Sequence, residues 1–412
     1  MKILLINNYS YRRGGADSVY LNTGQLLSEA NHDIKYFSSN NVNNEINSEN
    51  FIDSIDFREG NISQKITNFN NYFYSKASIV KLNKLLDTFK PDISNVHNFN
   101  GVLTGSFFKV LKDHDIPIVQ TIHDYNHICA VSSMINSKGT ICDDCKGKFY
   151  YRGFLNKCKN GNYINSAVTA FDNVIKYNVL KLRKNIDGYI FVSDFARNLY
   201  EKYFPSIRLK SYKLFNFSPK LNFKSNIQER IFLYFGRLSE EKGLLSLLNV
   251  FKFFKTYKLD IVGDGPLKHS LSQYIVENNM SNINLLGHKN SLQLEQLIAN
   301  AFFVIVPSEW YENNPMSIVE SYASGTPVIG ANIGGIPEII VNNKTGYLFE
   351  SRNTKDLENA IAKAINLETS SYLNFRKNAF EFAQNNFNPD TYKFKIIDIF
   401  KKVIQKYDKN LN

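Results

Sequence analysis

Two glutamates and the residues between them form the densest group of chemically active side chains in the sequence. Seven residues separate Glu312 from Glu320, in an E-x7-E spacing, and Asn314 and Pro315 are among them. An Asn side chain can accept a free backbone N–H at a helix cap, and Pro is favoured at the first helical position. The pair therefore predicts a helix start, and the two carboxylates bracket it.

The predicted helix places Glu320 among apolar neighbours. Met316, Val319 and Ala323 share a helix face with it, because they lie three or four residues away from it or from each other. A carboxylate on such a face is costly unless strong donors meet it, and sugar or ribose hydroxyls are such donors. The alternative is a helix-start Glu and a partly solvated Glu without a ligand.

A buried strand, Phe302–Val306, precedes this helix, and a second one begins at Val328 after the helix-ending Gly325. The stretch from Phe302 to Leu348 resembles the retaining, nucleotide-sugar-dependent glycosyltransferases of family four (bacterial group 1), which have the GT-B fold. Their donor domain has E-x7-E followed by S/A-G-T-P-V-I and G-G-I-P-E. These motifs stand here at residues 324–329 and 334–338.

Arg237 and Lys242 carry a second motif of that family, G-R-L-x-x-x-K-G. They lie five residues apart across a predicted strand-to-helix turn, so both can converge on one anion. Arg offers a planar fork to a phosphate, and Lys offers a point charge. Isolated, both would face solvent. The resemblance implies instead that they hold the donor diphosphate.

The resemblance implies further roles. Glu312 would hold hydroxyls of the transferred sugar, Glu320 the ribose, and the loop at His288 would lie near the nucleobase. Fixed cations and a helix N-terminus can stabilise a departing diphosphate without a metal. No residue stands out as a covalent nucleophile. The predicted donor-binding residues are Gly14, Gly15, Arg237, Lys242, His288, Glu312, Asn313, Asn314, Pro315, Met316 and Glu320. The predicted catalytic residues are His123, Arg237, Lys242 and Glu312.

The first half of the chain contributes Gly14, Gly15 and His123 to these sets. The two glycines lie between a predicted strand and a predicted helix, where backbone N–H groups can approach an anion, although a plain tight loop is the alternative. His97 and His123 each follow a predicted strand, at the sheet edge where ligands bind, although a structural His is the alternative. The resemblance places His123 beside the transferred sugar.

Four cysteines, Cys129, Cys142, Cys145 and Cys158, lie close together in C-x12-C-x2-C-x12-C spacing. Disulfides are rare in a reducing cytoplasm, whereas a C-x2-C pair with two further thiols can close a tetrahedral zinc site. Structural zinc, separate unliganded thiols and a redox C-x-x-C therefore stay open. No cofactor is expected for catalysis.

The charge is strongly uneven. The formal net charge is +11, and residues 146–184 hold nine Lys or Arg against Asp172 alone. Nucleic acid, an anionic membrane surface and a solvated basic face are the alternatives, and we favour the membrane over nucleic acid. No apolar run approaches the roughly 20 residues that span a bilayer, and the apolar start is too short for a signal peptide. The sequence thus predicts a cytoplasmic protein, peripheral at the inner face of the plasma membrane.

These observations predict an α/β protein of the GT-B type, with two Rossmann-like domains facing each other across a cleft. The expected parts are a first domain, 1–215, with a Cys-bearing insertion at about 129–158; a linker, 216–230; a donor domain, 231–386; and a last helix, 387–412, crossing back to the first domain. The expected activity is transfer of a sugar from a UDP- or GDP-sugar to a saccharide or lipid-linked acceptor with retention, in cell-surface polysaccharide biosynthesis. The alternative is a non-catalytic glycan- or membrane-binding adaptor that kept the fold.

Overall fold

The computed structural model describes residues 1–53, 71–223 and 230–411 of the chain. It divides into two units, each built around a six-stranded sheet whose named strands pair in parallel. The first unit comprises Met1–Val192, Ala196–Leu214 and Lys393–Asn412, and the second comprises Ser193–Phe195 and Phe215–Tyr392. In the described ranges, none of the helices combines the length and the apolar character that crossing a membrane would need.

The sheet of the first unit has the order β2-β1-β3-β4-β5-β6. Its central strands are buried along their length, as parallel strands covered by helices on both faces must be. The order reverses between β1 and β3, so loops after these two strands diverge and leave a crevice at the carboxyl edge. The strands are β1 Lys2–Tyr9, β2 Asp33–Ser39, β3 Ile93–Val96, β4 Ile118–Ile122, β5 Gly188–Phe191 and β6 Ser211–Lys213.

Helices connect these strands, and most bury an apolar face on the sheet. Residues Val174–Val179 form a π-helix that continues directly from the preceding α-helix. The α-helices are α1 Gly15–Glu29, α2 Lys76–Thr88, α3 Phe107–Asp113, α4 Tyr151–Leu155, α5 Tyr163–Asn173, α6 Leu182–Asn185 and α7 Asp194–Tyr203. Residues 113–115 span the end of α3 and the exposed turn after it, before β4.

The sheet of the second unit has the order β12-β11-β10-β7-β8-β9, a doubly wound arrangement that reverses between β7 and β10. Val304 of β10 pairs with Val328 on one side and with Leu233 on the other, which fixes the register at this reversal. The strands are β7 Ile231–Phe235, β8 Lys258–Val262, β9 Ile283–Gly287, β10 Phe303–Val306, β11 Val328–Ala331 and β12 Gly346–Phe349.

The helices of the second unit follow the same alternation. Short 3-10 turns, Glu240–Lys242 and Ile336–Glu338, lie in the loops after β7 and β11. The helices are α8 Leu244–Phe251, α9 Lys268–Glu277, α10 Ser291–Asn300, α11 Met316–Ala323, α12 Thr354–Ile365 and α13 Thr369–Asn386. The core between them and the sheet is aromatic-rich, with Phe232, Phe302 and Phe303 in mutual ring contact.

The last helix, α14 (Pro389–Leu411), packs from residue 393 onward on the first unit. Gly188 of β5 makes room for it, because a Cβ there would lie 2.7 Å from Cγ2 of the buried Val403. The Lys406 ammonium donates to the Leu209 carbonyl at 3.1 Å. An amphipathic final segment therefore finds its apolar surface in the first unit.

The predicted linker differs from what the structure places there. Residues 224–229 lie outside the described part, but Asn216, Phe217 and Ser218 are buried. Phe217 packs against Tyr392 with ring centroids 4.2 Å apart, and the Asn222 amide donates to the Ala323 carbonyl at 2.8 Å. The polar composition of this stretch suggested a free connection. Its aromatic residue and backbone groups instead bind it to the second unit.

Arg376 joins the elements that carry the second unit's E-x7-E stretch. Its side chain is fully buried on α13, and its guanidinium donates to the carbonyls of Ala299 and Ser324 at 3.2 Å and Ala301 at 3.4 Å. It also donates to the Tyr372 hydroxyl at 3.1 Å. A planar, multiply donating cation suits this place, since the carbonyls at the ends of α10 and α11 would otherwise be buried without a partner.

We expect Arg376→Leu to destabilise the second unit by about 3 kcal/mol, because several buried carbonyls lose their donor at once. Urea unfolding followed by the fluorescence of Trp310 measures this, since the chain holds a single Trp and it lies in this unit. The control is Lys377→Leu at the exposed neighbouring position, where a change within about 0.5 kcal/mol is expected. Equal effects of the two substitutions would contradict the role given to Arg376.

Candidate functional site

Lys242 and Glu312 meet at the point where the strand order of the second sheet reverses. Lys242 ends the 3-10 turn after β7, and Glu312 lies in the loop after β10. These strands are neighbours whose outgoing loops diverge, which is where open α/β sheets bind ligands. The Lys242 Nζ lies 2.6 Å from Oε1 of Glu312. The sequence predicted a role for both residues but not this ion pair.

Glu312 is an enclosed carboxylate with strong partners. It is 7% exposed, and its Oε1 also accepts from the Ser308 hydroxyl at 2.8 Å. Burial alone would raise the pKa of the Glu312 carboxyl, but the charge and hydrogen bond of Lys242 outweigh it and hold the pKa below its usual value. Glu312 is therefore ionised at neutral pH, and it is ready to accept hydrogen bonds from hydroxyls.

Close backbone contact keeps the Lys242 loop against the Glu312 loop. Gly243 follows Lys242 with φ +68°, and a Cβ there would lie 1.9 Å from the Pro307 carbonyl oxygen. Only glycine combines that φ with that approach. Lys242 also lies over the Trp310 ring, 4.8 Å from its centroid, so the ammonium is held from two sides.

The G-G-I-P-E motif supports the same loop from the other side. Gly334 has φ +61°, and a Cβ there would lie 2.3 Å from the Glu312 carbonyl oxygen. The Gly335 amide donates to that oxygen at 2.7 Å, and a Cβ at Gly335 would lie 1.9 Å from the Asn313 carbonyl oxygen. The paired glycines thus let the loop after β11 lie directly on the backbone that carries Glu312.

Arg237 and His288 lie at the same carboxyl edge, after β7 and β9 respectively, and both are exposed. Within the ranges that the structure describes, the Arg237 guanidinium has no hydrogen-bond or ion-pair partner, whereas Lys242 is already paired. The two cations of one motif therefore differ: one is enclosed and oriented, and the other is open to solvent. A sheet edge with an exposed Arg beside an oriented Lys suits a multiply charged anion.

The predicted helix cap at Asn314 and Pro315 is wrong in its details. Asn314 accepts from the Asn216 amide through Oδ1 at 2.8 Å, so its side chain is used elsewhere and caps nothing. Pro315 has ψ 125° and occupies the N-cap position, so α11 begins at Met316. Glu320 stands one turn into α11, half-buried, beside the buried Val319. The predicted helix exists, but it starts later than its sequence suggests.

In the first unit, His123 is part of a chain of side chains along the carboxyl edge. Its Nε2 lies 2.8 Å from Nδ1 of His97, and the two rings stack with centroids 5.1 Å apart. The Nε2 of His97 lies 3.0 Å from Oδ1 of Asn95, whose amide group donates to the Thr121 hydroxyl at 3.0 Å. Asn95 was not among the predicted site residues, although it lies two residues before His97, which directly follows β3, and i, i+2 residues of an extended segment share a face.

The hydrogen bonds of this chain assign the tautomers. Because the Asn95 amide donates to Thr121, its Oδ1 faces His97, and His97 must donate to it from Nε2. A neutral His97 then accepts at Nδ1, so His123 carries its proton on Nε2. Burial holds the pKa of His97 well below its usual value and lowers the pKa of His123 to about 4, so both rings are neutral near pH 7.

Gly14 and Gly15 stand where predicted, at the start of α1 after β1. Gly14 has an extended φ of −172°, and a Cβ there would meet no protein atom within 4 Å. Neither backbone conformation nor protein packing therefore calls for glycine at this position. The guanidinium of the flanking Arg13 lies over the Tyr9 ring, 3.5 Å from its centroid, and pairs with Asp17.

The four cysteines converge, but not into a ready metal site. All of them line one cavity of about 10 Å³ in the first unit, and all are free thiols. Burial raises the pKa of Cys129 to about 12 and that of Cys158 to about 11, so these thiols are protonated. Across the described ranges, no group of three or more His, Cys, Asp or Glu side chains is arranged to hold a metal ion. The zinc prediction remains untested.

A family model described as glycosyl transferases group 1 matches residues 218–382, which fill most of the second unit and contain Arg237, Lys242 and Glu312. Residues 218–382 belong to the group 1 glycosyl transferases. Curated relatives match part of the chain. An uncharacterized glycosyltransferase of Methanocaldococcus jannaschii is 29% identical over 184 residues, which is 45% of this chain and 51% of that protein.

A second relative is the lipopolysaccharide 1,2-N-acetylglucosaminetransferase of Salmonella typhimurium, 28% identical over 239 residues, or 52% of this chain and 61% of that protein. The chain thus spans from about half to three fifths of the length of these two relatives. Solved structures match over more of it. Sucrose-phosphate synthase from Thermosynechococcus elongatus aligns with a TM-score of 0.74 at 16% identity, covering 98% of this chain and 100% of that one.

Staphylococcus aureus TarM, solved with UDP among its ligands, aligns with a TM-score of 0.68 at 13% identity, covering 97% of this chain and 100% of that one. Identities this low show the fold alone. That fold is the predicted α/β GT-B fold, with its two six-stranded parallel sheets. The sequence prediction of the fold class is confirmed.

We expect the first unit to lose stability in mild acid. Burial holds the pKa of His97 and His127 well below the usual value and lowers that of His123 to about 4. The unfolded chain binds these protons near pH 6.5, so between about pH 6.5 and 4 it holds more protons than the folded unit. The stability from neutral imidazoles is complete above that window and falls as the pH falls through it.

Hydrogen exchange of peptides from residues 91–128, corrected for intrinsic rates, measures this between pH 7.5 and 5. Replacing His127 by Gln should reduce the slope by up to about 1.4 kcal/mol per pH unit, the value for one proton. The exposed His269, replaced likewise, is the control and should leave the slope unchanged. Burial raises the pKa of the Asp124 carboxyl to about 6, so this group takes up a proton in the folded unit and offsets part of the slope. A slope that His127→Gln leaves unchanged would refute the neutral-histidine assignment.

Proposed function

We propose that the chain transfers a sugar from a nucleotide-sugar donor to an acceptor hydroxyl and keeps the anomeric configuration of the donor. One observation carries the proposal: an oriented cation and an ionised carboxylate, Lys242 and Glu312, paired at 2.6 Å where the second sheet reverses its strand order. This position is built to receive a ligand with both phosphate and hydroxyl groups. A nucleotide-sugar has both.

We assign the donor diphosphate to Arg237 and Lys242. When the sugar–phosphate bond breaks, negative charge develops on the departing diphosphate, and fixed cations stabilise it without reorganisation. Lys242 is already oriented by Glu312, whereas the exposed Arg237 can close on the phosphates as they bind. The backbone N–H groups at the start of α11, from Met316 onward, add partial positive charge. No metal is required in this scheme.

The remaining donor contacts follow the resemblance. Glu312 accepts hydrogen bonds from hydroxyls of the transferred sugar, and Glu320 accepts them from hydroxyls of the ribose. His288 lies near the base. Uracil is the base we favour, because TarM and the HepE protein of Anabaena are similar in fold and were solved with UDP and UDP-glucose respectively. The Asn313–Met316 segment keeps a Pro but lacks the bulky aromatic residue that is common in the family, so no particular donor sugar is assigned.

We assign His123 to the transferred sugar and the Gly14–Gly15 turn to the donor phosphates. A neutral His123, held by His97, can orient hydroxyls without adding a competing positive charge. The open space at Gly14, where a Cβ would meet no protein atom, suits a group that approaches the backbone. With no nucleophile assigned, we propose reaction on one face of the sugar, with the departing phosphate helping to deprotonate the acceptor.

We propose a saccharide or lipid-linked saccharide as the acceptor, in cell-surface polysaccharide biosynthesis. The names of the relatives support this class: they include transferases for lipopolysaccharide, colanic acid and poly(ribitol-phosphate). We place the protein in the cytoplasm, peripheral on the inner face of the plasma membrane. A non-catalytic adaptor would have no need of an oriented Lys beside an ionised Glu, which is why we favour the enzyme.

The decisive measurement is nucleotide release from UDP- and GDP-sugars with and without saccharide acceptors. We expect Arg237→Ala and Lys242→Ala each to lower kcat/KM by about 10²- to 10³-fold, because each removes charge stabilisation from the leaving group. Glu312→Gln should cost about 10²-fold, since it removes the charged hydrogen bonds to the sugar while keeping the shape.

The matched control is Glu309→Gln, three residues from Glu312 on the same loop and held by Ser246 at 2.6 Å. It should stay within about threefold of the unsubstituted protein, as surface changes usually do. Absence of nucleotide release with every donor and acceptor, together with glycan or lipid binding, would favour the adaptor. Turnover that survives Glu312→Gln and Glu320→Gln together would refute the assignment of both acids.

Structural zinc remains a proposal about the four cysteines. If the thiols close on an ion, mass spectrometry of protein purified without chelators should find close to one zinc per chain, and Cys142→Ala should remove it. Closure would require the thiols to deprotonate and move, so release of protons on zinc addition is a second readout. Metal-free protein with unchanged thermal stability on zinc addition would leave these residues as ordinary buried thiols.

A further inference from the structure

Helix α5 buries polar side chains and exposes apolar ones. A surface helix normally buries its apolar side and exposes its polar side. Here the buried residues include Ser166, Asp172 and Asn173, whereas Tyr163 is 51% and Ile164 75% exposed. The outward side of α5 is therefore its more apolar side.

The buried polar groups of α5 explain why the helix does not rotate. Asn173 donates to the Ala130 carbonyl at 3.0 Å, and the Ser166 hydroxyl accepts the Lys159 amide at 2.9 Å. Asp172 forms an ion pair with Lys176, which is fully buried in the π-helix that follows. Turning the apolar side inward would leave these groups without partners at a cost well above that of exposing two apolar side chains.

Helix α4 is oriented in the same way. It buries Gly153, where a Cβ would lie 2.7 Å from Cβ of Ala130, and it exposes Tyr151 and Leu155, the latter by 58%. Phe154, which also belongs to α4, contacts Tyr163 of α5 with ring centroids 5.5 Å apart. The two helices thus present one shared set of outward aromatic and aliphatic groups.

Basic side chains lie on this apolar set, and within residues 146–184 no exposed acid accompanies them, although the half-buried Asp144 lies beside α4 and accepts from Asn156 at 3.0 Å. Arg152 lies over the Phe149 ring at 5.3 Å, and Lys157 lies over the Tyr163 ring at 4.3 Å. Five further lysines in residues 146–184 are exposed. They are Lys146, Lys148, Lys159, Lys181 and Lys184. The one acid of this stretch, Asp172, is buried, so the outward charge is entirely positive.

We propose that the outward side chains of residues 146–184, the α4–α5 surface, bind the headgroup region of an anionic lipid bilayer. Aromatic and aliphatic groups ringed by cations are the composition of interfacial membrane helices, in which apolar groups enter the headgroup boundary and Lys or Arg meet lipid phosphates. A protein partner would have to supply all the counter-charge from its own surface. The inference rests on the proposed function in one respect only, which is that the acceptor is a lipid-linked saccharide.

Vesicle sedimentation of the full chain tests this, comparing phosphatidylcholine mixed with phosphatidylglycerol against phosphatidylcholine alone. We expect binding to the anionic vesicles that weakens with added salt. Each lysine removed in Lys148→Gln and Lys159→Gln should lower the partition coefficient about fivefold, equivalent to about 1 kcal/mol. The pair Leu155→Ser and Ile164→Ser should lower it about tenfold or more.

The control is Phe253→Ser with Lys255→Gln, an exposed aromatic and lysine of the second unit, and it should bind vesicles as the unsubstituted chain does. Equal binding by control and α4–α5 variants, or no binding to anionic vesicles, overturns the proposal. So does concentration-dependent self-association that the α4–α5 variants abolish in place of vesicle binding. Nucleotide release with a soluble acceptor should be the same in every variant as in the unsubstituted chain. If the unsubstituted chain releases no nucleotide, that result counts against the proposed function alone.

Discussion

The second unit depends on one electrostatic constraint: a carboxylate buried at a sheet edge must keep a cation beside it. Glu312 is enclosed, and the desolvation of its charge is offset by Lys242 and Ser308. Because these partners come from two different loops, the pair fixes the separation of the loops after β7 and β10. A ligand at this edge therefore meets groups whose positions are already determined, so less ordering is needed on binding.

The family motifs become intelligible once this constraint is recognised. Gly243 lets the Lys242 loop touch the backbone of Pro307, and Gly334 and Gly335 let a third loop lie on Glu312. These glycines do not bind the ligand in this account. They allow backbones to approach so closely that the charged pair cannot drift apart. The glycines of these motifs are therefore explained by backbone packing, and that packing holds the charged side chains in place.

Much of this could be predicted from the sequence, for identifiable reasons. The strand predicted at Phe302–Val306 is found at Phe303–Val306, and the strand predicted to begin at Val328 does begin there, because continuous apolar runs are strong local signals. The Asn314–Pro315 cap was wrong because Asn314 has a competing partner, Asn216, far away in sequence. Local preference predicts what a residue can do, and tertiary contacts decide which of those options it takes.

Two important contacts that the sequence did not predict join side chains distant along the chain. The pairing of Lys242 with Glu312 spans 70 residues, and that of His97 with His123 spans 26. Each residue had been identified separately, from its motif or its place after a strand. Spacing alone could not show that Lys242 is held by Glu312 while Arg237 stays open, because that difference arises only where the two loops meet.

Charge and periodicity together could not predict which side chains form the α4–α5 surface. A count of lysines in residues 146–184 indicates a basic region, and the period of the apolar residues in α5 indicates an amphipathic helix. Neither shows which side faces outward. That is settled by the buried Asp172–Lys176 pair and by the Asn173 bond to the Ala130 carbonyl, which hold the polar side inward. Polar groups inside the unit thus force the apolar groups outward, so the composition of that outer surface follows from hydrogen bonding within the protein.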